Sequence, residues 1–144
     1  MKEYVIIGSL LILTIFVSGC ITGGASADID GKSVKIPLSE LSDQAKFYTL
    51  DDNGVEINYF VVLGSDGEPR TAFDGCDVCG GSKGYRQDGT DIVCNNCGKV
   101  FRIDGLGTKN RGTGCWPSYL PHTIEDNQLV IQISDIQKGR AQFA

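Results

Sequence analysis

The sequence is short of the residues that build most hydrolytic and acid–base sites. Among 144 residues there is one histidine, and no Ser/His/Asp set or closely spaced carboxylate pair can be assembled around it. That scarcity argues for a carrier or binding protein rather than an enzyme. Positive charge is also in deficit, with 13 Lys and Arg against 18 Asp and Glu and a net charge of −5. Nucleic acid, which needs a basic footprint, is therefore excluded as a partner. No Cys-x-x-Cys-His is present, which removes covalent haem. There is no internal repeat beyond two cysteine pairs, and no amphipathic helix of convincing length. Glycine, by contrast, is plentiful at 19 residues, favouring turns, knuckles and short strands.

The first apolar stretch belongs to export. Lys2 opens a run that is almost unbroken in apolar character over residues 4–17. Such a run has the length of a signal h-region and falls short of the ~20 residues of a usual spanning helix. It ends in Val17-Ser18-Gly19-Cys20, which resembles a lipobox with Cys20 as the lipid-bearing residue of the mature protein. An uncleaved anchor is the alternative. Either way the expectation is a protein held at a cell membrane and facing outside the cytoplasm; in the lipobox reading two acyl chains make a stable anchor. Residues 1–19 read as signal peptide and 20–32 as a lipid-anchored flexible tether. Residues 33–144 read as one β-rich metal-binding domain, and cleavage before Cys20 leaves the net charge at −5.

From residue 33 the hydrophobic pattern has period two, the signature of half-buried strands. Residues 33–38 alternate, with Pro37 confining them to an edge or a strand end. Residues 45–50 predict a second strand, and Asn53-Gly54 a tight hairpin turn. Val55, Ile57, Tyr59, Val61 and Leu63 share one face of a long strand, while Phe60 and Val62 make the other face apolar, so this strand should be central. Residues 129–133 predict a last strand and 136–143 a polar tail. The expected class is mainly β with small α content: antiparallel strands carrying a two-knuckle hairpin module of the zinc-ribbon or rubredoxin kind, over about 74–116.

Four cysteines define that module. Cys76-Asp77-Val78-Cys79-Gly80 and Cys94-Asn95-Asn96-Cys97-Gly98 are separated by 14 residues. A Cys-x-x-Cys followed by glycine lets the chain wrap an ion with both sulfurs inward and backbone N–H groups free to donate to them. Two such knuckles supply a tetrahedral S₄ set. The segment between them contains Asp88-Gly89, a hairpin turn signal. Two disulfides, or thioredoxin-like redox pairs, are the competing readings for exported cysteines. Against them, Gly80-Gly81-Ser82 is a poor helix start, and setting Cys20 aside leaves an odd number of thiols.

The fifth of these thiols, Cys115, follows a glycine-rich turn and precedes Trp116-Pro117. It could ligate, gate a redox reaction, or be a buried free thiol. His122 is a second possible metal or redox residue, although a lone histidine is more often a polar core or surface group. Trp116 should pack over the site and limit water. Residues 75–116 carry a net charge of +2 within an acidic chain. Lys83, Arg86, Lys99 and Arg102 could offset thiolate charge or simply be solvated.

Residues 72–79, 84–89, 93–97, 103–107 and Gly114-Cys115 together resemble the FtrD-like membrane iron–sulfur protein family. The likeness extends over residues 35–133, including 57–62 and Leu120-Pro121-His122-Thr123. It implies functional roles for Cys76, Cys79, Cys94, Cys97 and Cys115, an association with iron-uptake systems, and an iron–sulfur cofactor. Trp116 departs from the family, whose members usually have Asn there. Many relatives carry several transmembrane helices, so the resemblance here covers the soluble domain alone and argues against direct transport by this chain.

The leading expectation is thus a membrane-anchored iron–sulfur or iron-binding protein that relays electrons or metal to a membrane transport or redox partner. The alternatives are a structural zinc ribbon supporting a binding surface, and a thiol–disulfide redox protein.

Overall fold

A computed structural model of the chain describes residues 27–76, 78–79, 83–107 and 115–144. The signal segment, Cys20, most of the expected tether, Gly80-Gly81-Ser82 and the glycine-rich turn before Cys115 lie outside these residues. Among the described residues no helix is long and apolar enough to cross a membrane.

The architecture is mostly antiparallel β, as the alternating pattern predicts. Strands β1 (Asp28–Ile29), β2 (Ser33–Pro37), β9 (Thr123–Glu125) and β10 (Gln128–Gln132) form one sheet in the order β1-β2-β10-β9. Strands β3 (Lys46–Asp52), β4 (Val55–Leu63) and β5 (Pro69–Phe73) form a second in sequence order, and β6 (Tyr85–Asp88), β7 (Asp91–Cys94) and β8 (Val100–Arg102) a third. Pro37 stands at the last rung of β2, opposite Gln128, where its missing N–H costs least.

β4 joins the two cores, and its side-chain alternation explains how. Ile57, Tyr59 and Val61 face a cluster made with Val34, Ile36, Leu129 and Ile131 of the first sheet. Phe60 and Val62 face the opposite cluster, with Tyr85, Ile92 and Phe101 of the third sheet and with Cys76 and Cys94. A strand buried on both faces belongs in the middle of its sheet, and β4 is there, between β3 and β5. Phe60 is fully buried, and a side chain of that size contributes about 1.5–3 kcal/mol by burial alone. The β3–β4 turn is the expected one: Asn53 at φ 51° and Gly54 at φ 84° take the left-handed conformations of a two-residue hairpin loop.

Two expectations are corrected. Asp28 and Ile29, assigned to the tether, pair with Lys35 and Val34. The polar tail is instead docked structure, with helix α1 (Ile133–Gln137) followed by a 3₁₀ turn at Arg140–Gln142. Ile136 is fully buried in the first core. The Arg140 guanidinium donates to Asp52 Oδ2 at 2.7 Å and to the Asp52 carbonyl. Single apolar residues at 136 and 143 escape a period test but still anchor a terminus. A β9–β10 hairpin also went unread, because its turn uses Asp126 and Asn127 in positive-φ conformations without a glycine.

Candidate metal centre

Three chain segments bring five cysteines together. β5 runs directly toward the first knuckle. Asp74 then turns the chain: its N–H donates to Asn58 O at 2.8 Å, and its carboxylate accepts Tyr85 N–H at 2.6 Å. Burial pushes Asp74 up to about 6 against the opposing pull of that N–H. Gly84 is required here: it sits at φ +57°, and a Cβ would lie 2.6 Å from the Asp74 carboxylate.

The β6–β7 hairpin carries the second knuckle. Tyr85 pairs with Cys94 across its two strands. The chain reverses through Gly98 at φ +71°, with Gly98 N–H donating to Cys94 O and Cys94 N–H to Lys99 O, both at 2.9 Å. The knuckles share one electrostatic design. Cys76 sulfur accepts N–H groups from Val78 and Cys79, and Cys94 sulfur accepts them from Asn96 and Cys97. The Cys79 N to Cys76 Sγ distance is 3.3 Å. The first thiol of each pair is thus held by two donors of the kind that stabilise a thiolate.

The third segment is residues 115–120. Ala72 of β5 forms an antiparallel bridge with Tyr119, flanked by Phe73 N–H to Ser118 O at 2.9 Å and Leu120 N–H to Thr71 O at 3.3 Å. The segment that carries Cys115 is thereby tied to the strand that leads into Cys76. The Tyr85 hydroxyl donates to Cys115 O at 3.0 Å and fixes its backbone.

The sulfurs of Cys76, Cys79 and Cys115 lie within 4.8 Å of one another, as do those of Cys79, Cys94 and Cys97. Cys115 Sγ is 3.5 Å from Cys79 Sγ and 3.6 Å from Cys97 Sγ. All five are free thiols. Tetrahedral coordination with metal–sulfur bonds of about 2.3 Å sets neighbouring sulfurs about 3.8 Å apart, so the spacing suits thiolate coordination of a metal. Soft thiolates with N–H donors are the donor set that iron and zinc both accept.

Cys76 and Cys94 are buried, Cys79 and Cys115 are half-buried, and Cys97 is exposed. Burial opposes ionisation of Cys76, but its N–H donors and the thiols of Cys115 and Cys79 bring it below the ordinary thiol range. The Lys99 N–H, followed by Cys115, lowers Cys97. Burial, then Cys97 beside it, raises Cys94. The neighbouring sulfurs of Cys79, Cys76 and Cys97, and then burial, raise Cys115.

Around the sulfurs the wall is aromatic. Trp116 packs edge-on to Phe101 at 5.0 Å, and Phe101 edge-on to Tyr85 at 6.2 Å. Trp116, Cys79 and Cys115 all lie against the same buried cluster. The basic side chains are engaged locally: Arg86 donates to Asn95 Oδ1 at 3.1 Å, Arg102 meets Asp91 at 3.6 Å, and Lys99 lies over the Phe101 ring. Lys83 is exposed, and its carbonyl accepts the Asn95 amide.

His122 is not brought to the cysteines. Its Nδ1 is 2.7 Å from Thr71 Oγ1, which itself donates to Leu120 O at 2.5 Å, so the ring pins the segment that follows Cys115. Burial lowers its pKa. Sequence reasoning passed over Thr71, Asp74 and Tyr85 as site-builders. Their roles depend on partners from 11 to 51 residues away, which no local pattern announces.

The sequence model of a family described as "Membrane iron-sulfur containing protein FtrD-like" matches residues 41–143, a span that holds all five thiols. No curated protein sequence and no solved structure matches the chain.

Proposed function

The chain belongs to the FtrD-like family of membrane iron–sulfur proteins, and from that premise we propose that it is a relay for electrons or iron. In this reading its N-terminus anchors it outside the cytoplasm, through lipid on Cys20, and it serves a transport or redox partner in iron uptake. The observation that carries the reading is the convergence of five free thiols at coordination spacing. Bound iron in such a site supplies a one-electron change with little rearrangement.

The residues around it do the rest. Cys76, Cys79, Cys94 and Cys97 would hold the metal, with Cys115 beside them. The paired N–H groups on Cys76 and Cys94 favour the form with more negative charge on sulfur, and so bear on the potential. Trp116, Phe101 and Tyr85 keep one side dry, while exposed Cys97 gives a partner a short path to the centre.

The test is metal and acid-labile sulfide analysis, with visible absorption and EPR, on the full chain purified without oxygen. Bound iron with a reducible chromophore is expected. A colourless protein holding only zinc, with no redox event, would remove the relay.

A structural zinc site is the second reading, favoured by the burial of Cys76 and Cys94 within the core that joins the second and third sheets. There the ion would act as a staple, and function would lie on the β surface.

A further inference from the structure

Exposed Cys97 lies where positive charge prevails in an otherwise acidic chain. We propose that the face around it is a docking surface for a partner protein that presents acidic side chains around an apolar centre. This rests on the relay reading of the cysteine site and adds to it the chemistry of the partner.

Residues 83–102 hold Lys83, Arg86, Lys99 and Arg102 against Asp88 and Asp91, a net +2, while the whole chain carries −5. The anions stand apart from the sulfurs. Asp88 and Asp91 flank the turn at the opposite end of the β6–β7 hairpin, where Asp91 takes up Arg102 at 3.6 Å. The other three basic residues gather at the second knuckle. Arg86 donates to Asn95 Oδ1 at 3.1 Å, the Lys83 carbonyl accepts the Asn95 amide at 2.8 Å, and Lys99 follows Cys97 by two residues. Asp74, which shares a cleft with Lys83 and Arg86, is half-buried and accepts the Tyr85 N–H.

Exposed apolar side chains complete the surface. Val78 is 66% exposed and Val100 56%. The register runs from Arg86 through Val93 to Val100, so Arg86 and Val100 project from the same side of the third sheet. Val78 adjoins Cys79, whose sulfur is within 4.8 Å of that of Cys97. Phe47, 42% exposed, borders the cleft that Lys83 and Arg86 line. Apolar side chains beside charged ones are the make-up of a protein–protein contact surface.

Charge complementarity selects an acidic partner, and local attraction speeds its approach even though the chain as a whole is negative. An anionic membrane would meet the same cations. It would also seal off Cys97, the exposed sulfur through which a relay reaches its partner.

The test follows the fluorescence anisotropy of dye-labelled peptides added to the full-length chain in nonionic detergent, with detergent alone as blank. One peptide flanks a pair of leucines with glutamates; its counterpart flanks them with lysines. The acidic peptide is expected to bind, and to bind more weakly as salt rises, while the lysine peptide does not compete. Lys83→Glu, Arg86→Glu and Lys99→Glu combined should weaken binding about tenfold, and Val100→Asp should weaken it further. Lys32→Glu, between β1 and β2, should change nothing. Equal binding of the two peptides, binding indifferent to salt or to the three substitutions, or no binding would each overturn the acidic partner. Stronger attachment to phosphatidylglycerol vesicles than to the peptide, lost with the same substitutions, would give the face to the membrane surface instead. Dimers in sedimentation that those substitutions dissolve would give it to a second copy of the chain. Peptide binding does not depend on electron transfer, so a protein holding only zinc would remove the relay and leave the docking result readable. The substituted side chains are exposed, and far-UV circular dichroism on each variant separates lost docking from unfolding.

Discussion

Ala72 and Tyr119 face one another in an antiparallel bridge, which ties the segment that carries the fifth thiol, Cys115, to the strand leading into the first knuckle at Cys76. Thr71 reinforces it by donating to Leu120 O, with His122 on the same hydroxyl.

Replacing Thr71 by Val keeps the shape of this fully buried residue but leaves Leu120 O and His122 without their partner. A loss of about 1–3 kcal/mol is expected by urea denaturation. Cys115 should become more reactive toward iodoacetamide than Cys76.

Gly84→Ala puts a methyl into the Asp74 carboxylate at a positive-φ position. Strain of order 1–3 kcal/mol is expected, read from the melting transition. Because Gly84 precedes the strand bearing the Tyr85–Cys94 pair, metal affinity should fall with it.

Asp74 gives a pH signature. Its folded value, about 6, lies above the ordinary aspartate value of 3.8, so the folded state holds the proton more tightly than the unfolded chain does. The associated stability is fully present below about 4 and is lost as pH rises through about 6. Asp74→Asn keeps an oxygen for the Tyr85 N–H and removes the buried charge. Relative to the parent, it should gain about 2–3 kcal/mol between pH 4 and 7. Parallel stability curves for the two proteins over that interval would refute the assignment.

Tyr85→Phe preserves the ring contacts with Phe60 and Phe101 while removing the donor to Cys115 O. A cost of about 1 kcal/mol is expected from calorimetry.

Gly139→Ala tests the docked tail. A Cβ there would lie well inside contact distance of the Phe73 ring. Overpacking should cost about 1–3 kcal/mol by denaturation. The cysteine site, which sits on the other face of β4, should keep its metal content.

Much of the frame was legible because it is local. The central place of β4 followed from apolar residues on both of its faces, and the β3–β4 turn from Asn53-Gly54. The knuckles could be read because a Cys-x-x-Cys-Gly segment closes on itself within five residues. The two-residue strand β1 and the buried Ile136 were missed, since one rung or one side chain leaves no period to detect.

By itself, the sequence determined the β class, the central strand and the four knuckle thiols, because period-two burial and tight turns depend on residues close together in the chain. Only the tertiary structure decided that Cys115 lies against Cys79 and Cys97, that His122 instead holds Thr71, and that Asp74 braces the second knuckle through Tyr85. These contacts are set by β-register between distant segments, and the energy that selects a register is spread over both cores rather than written at the residues it brings together.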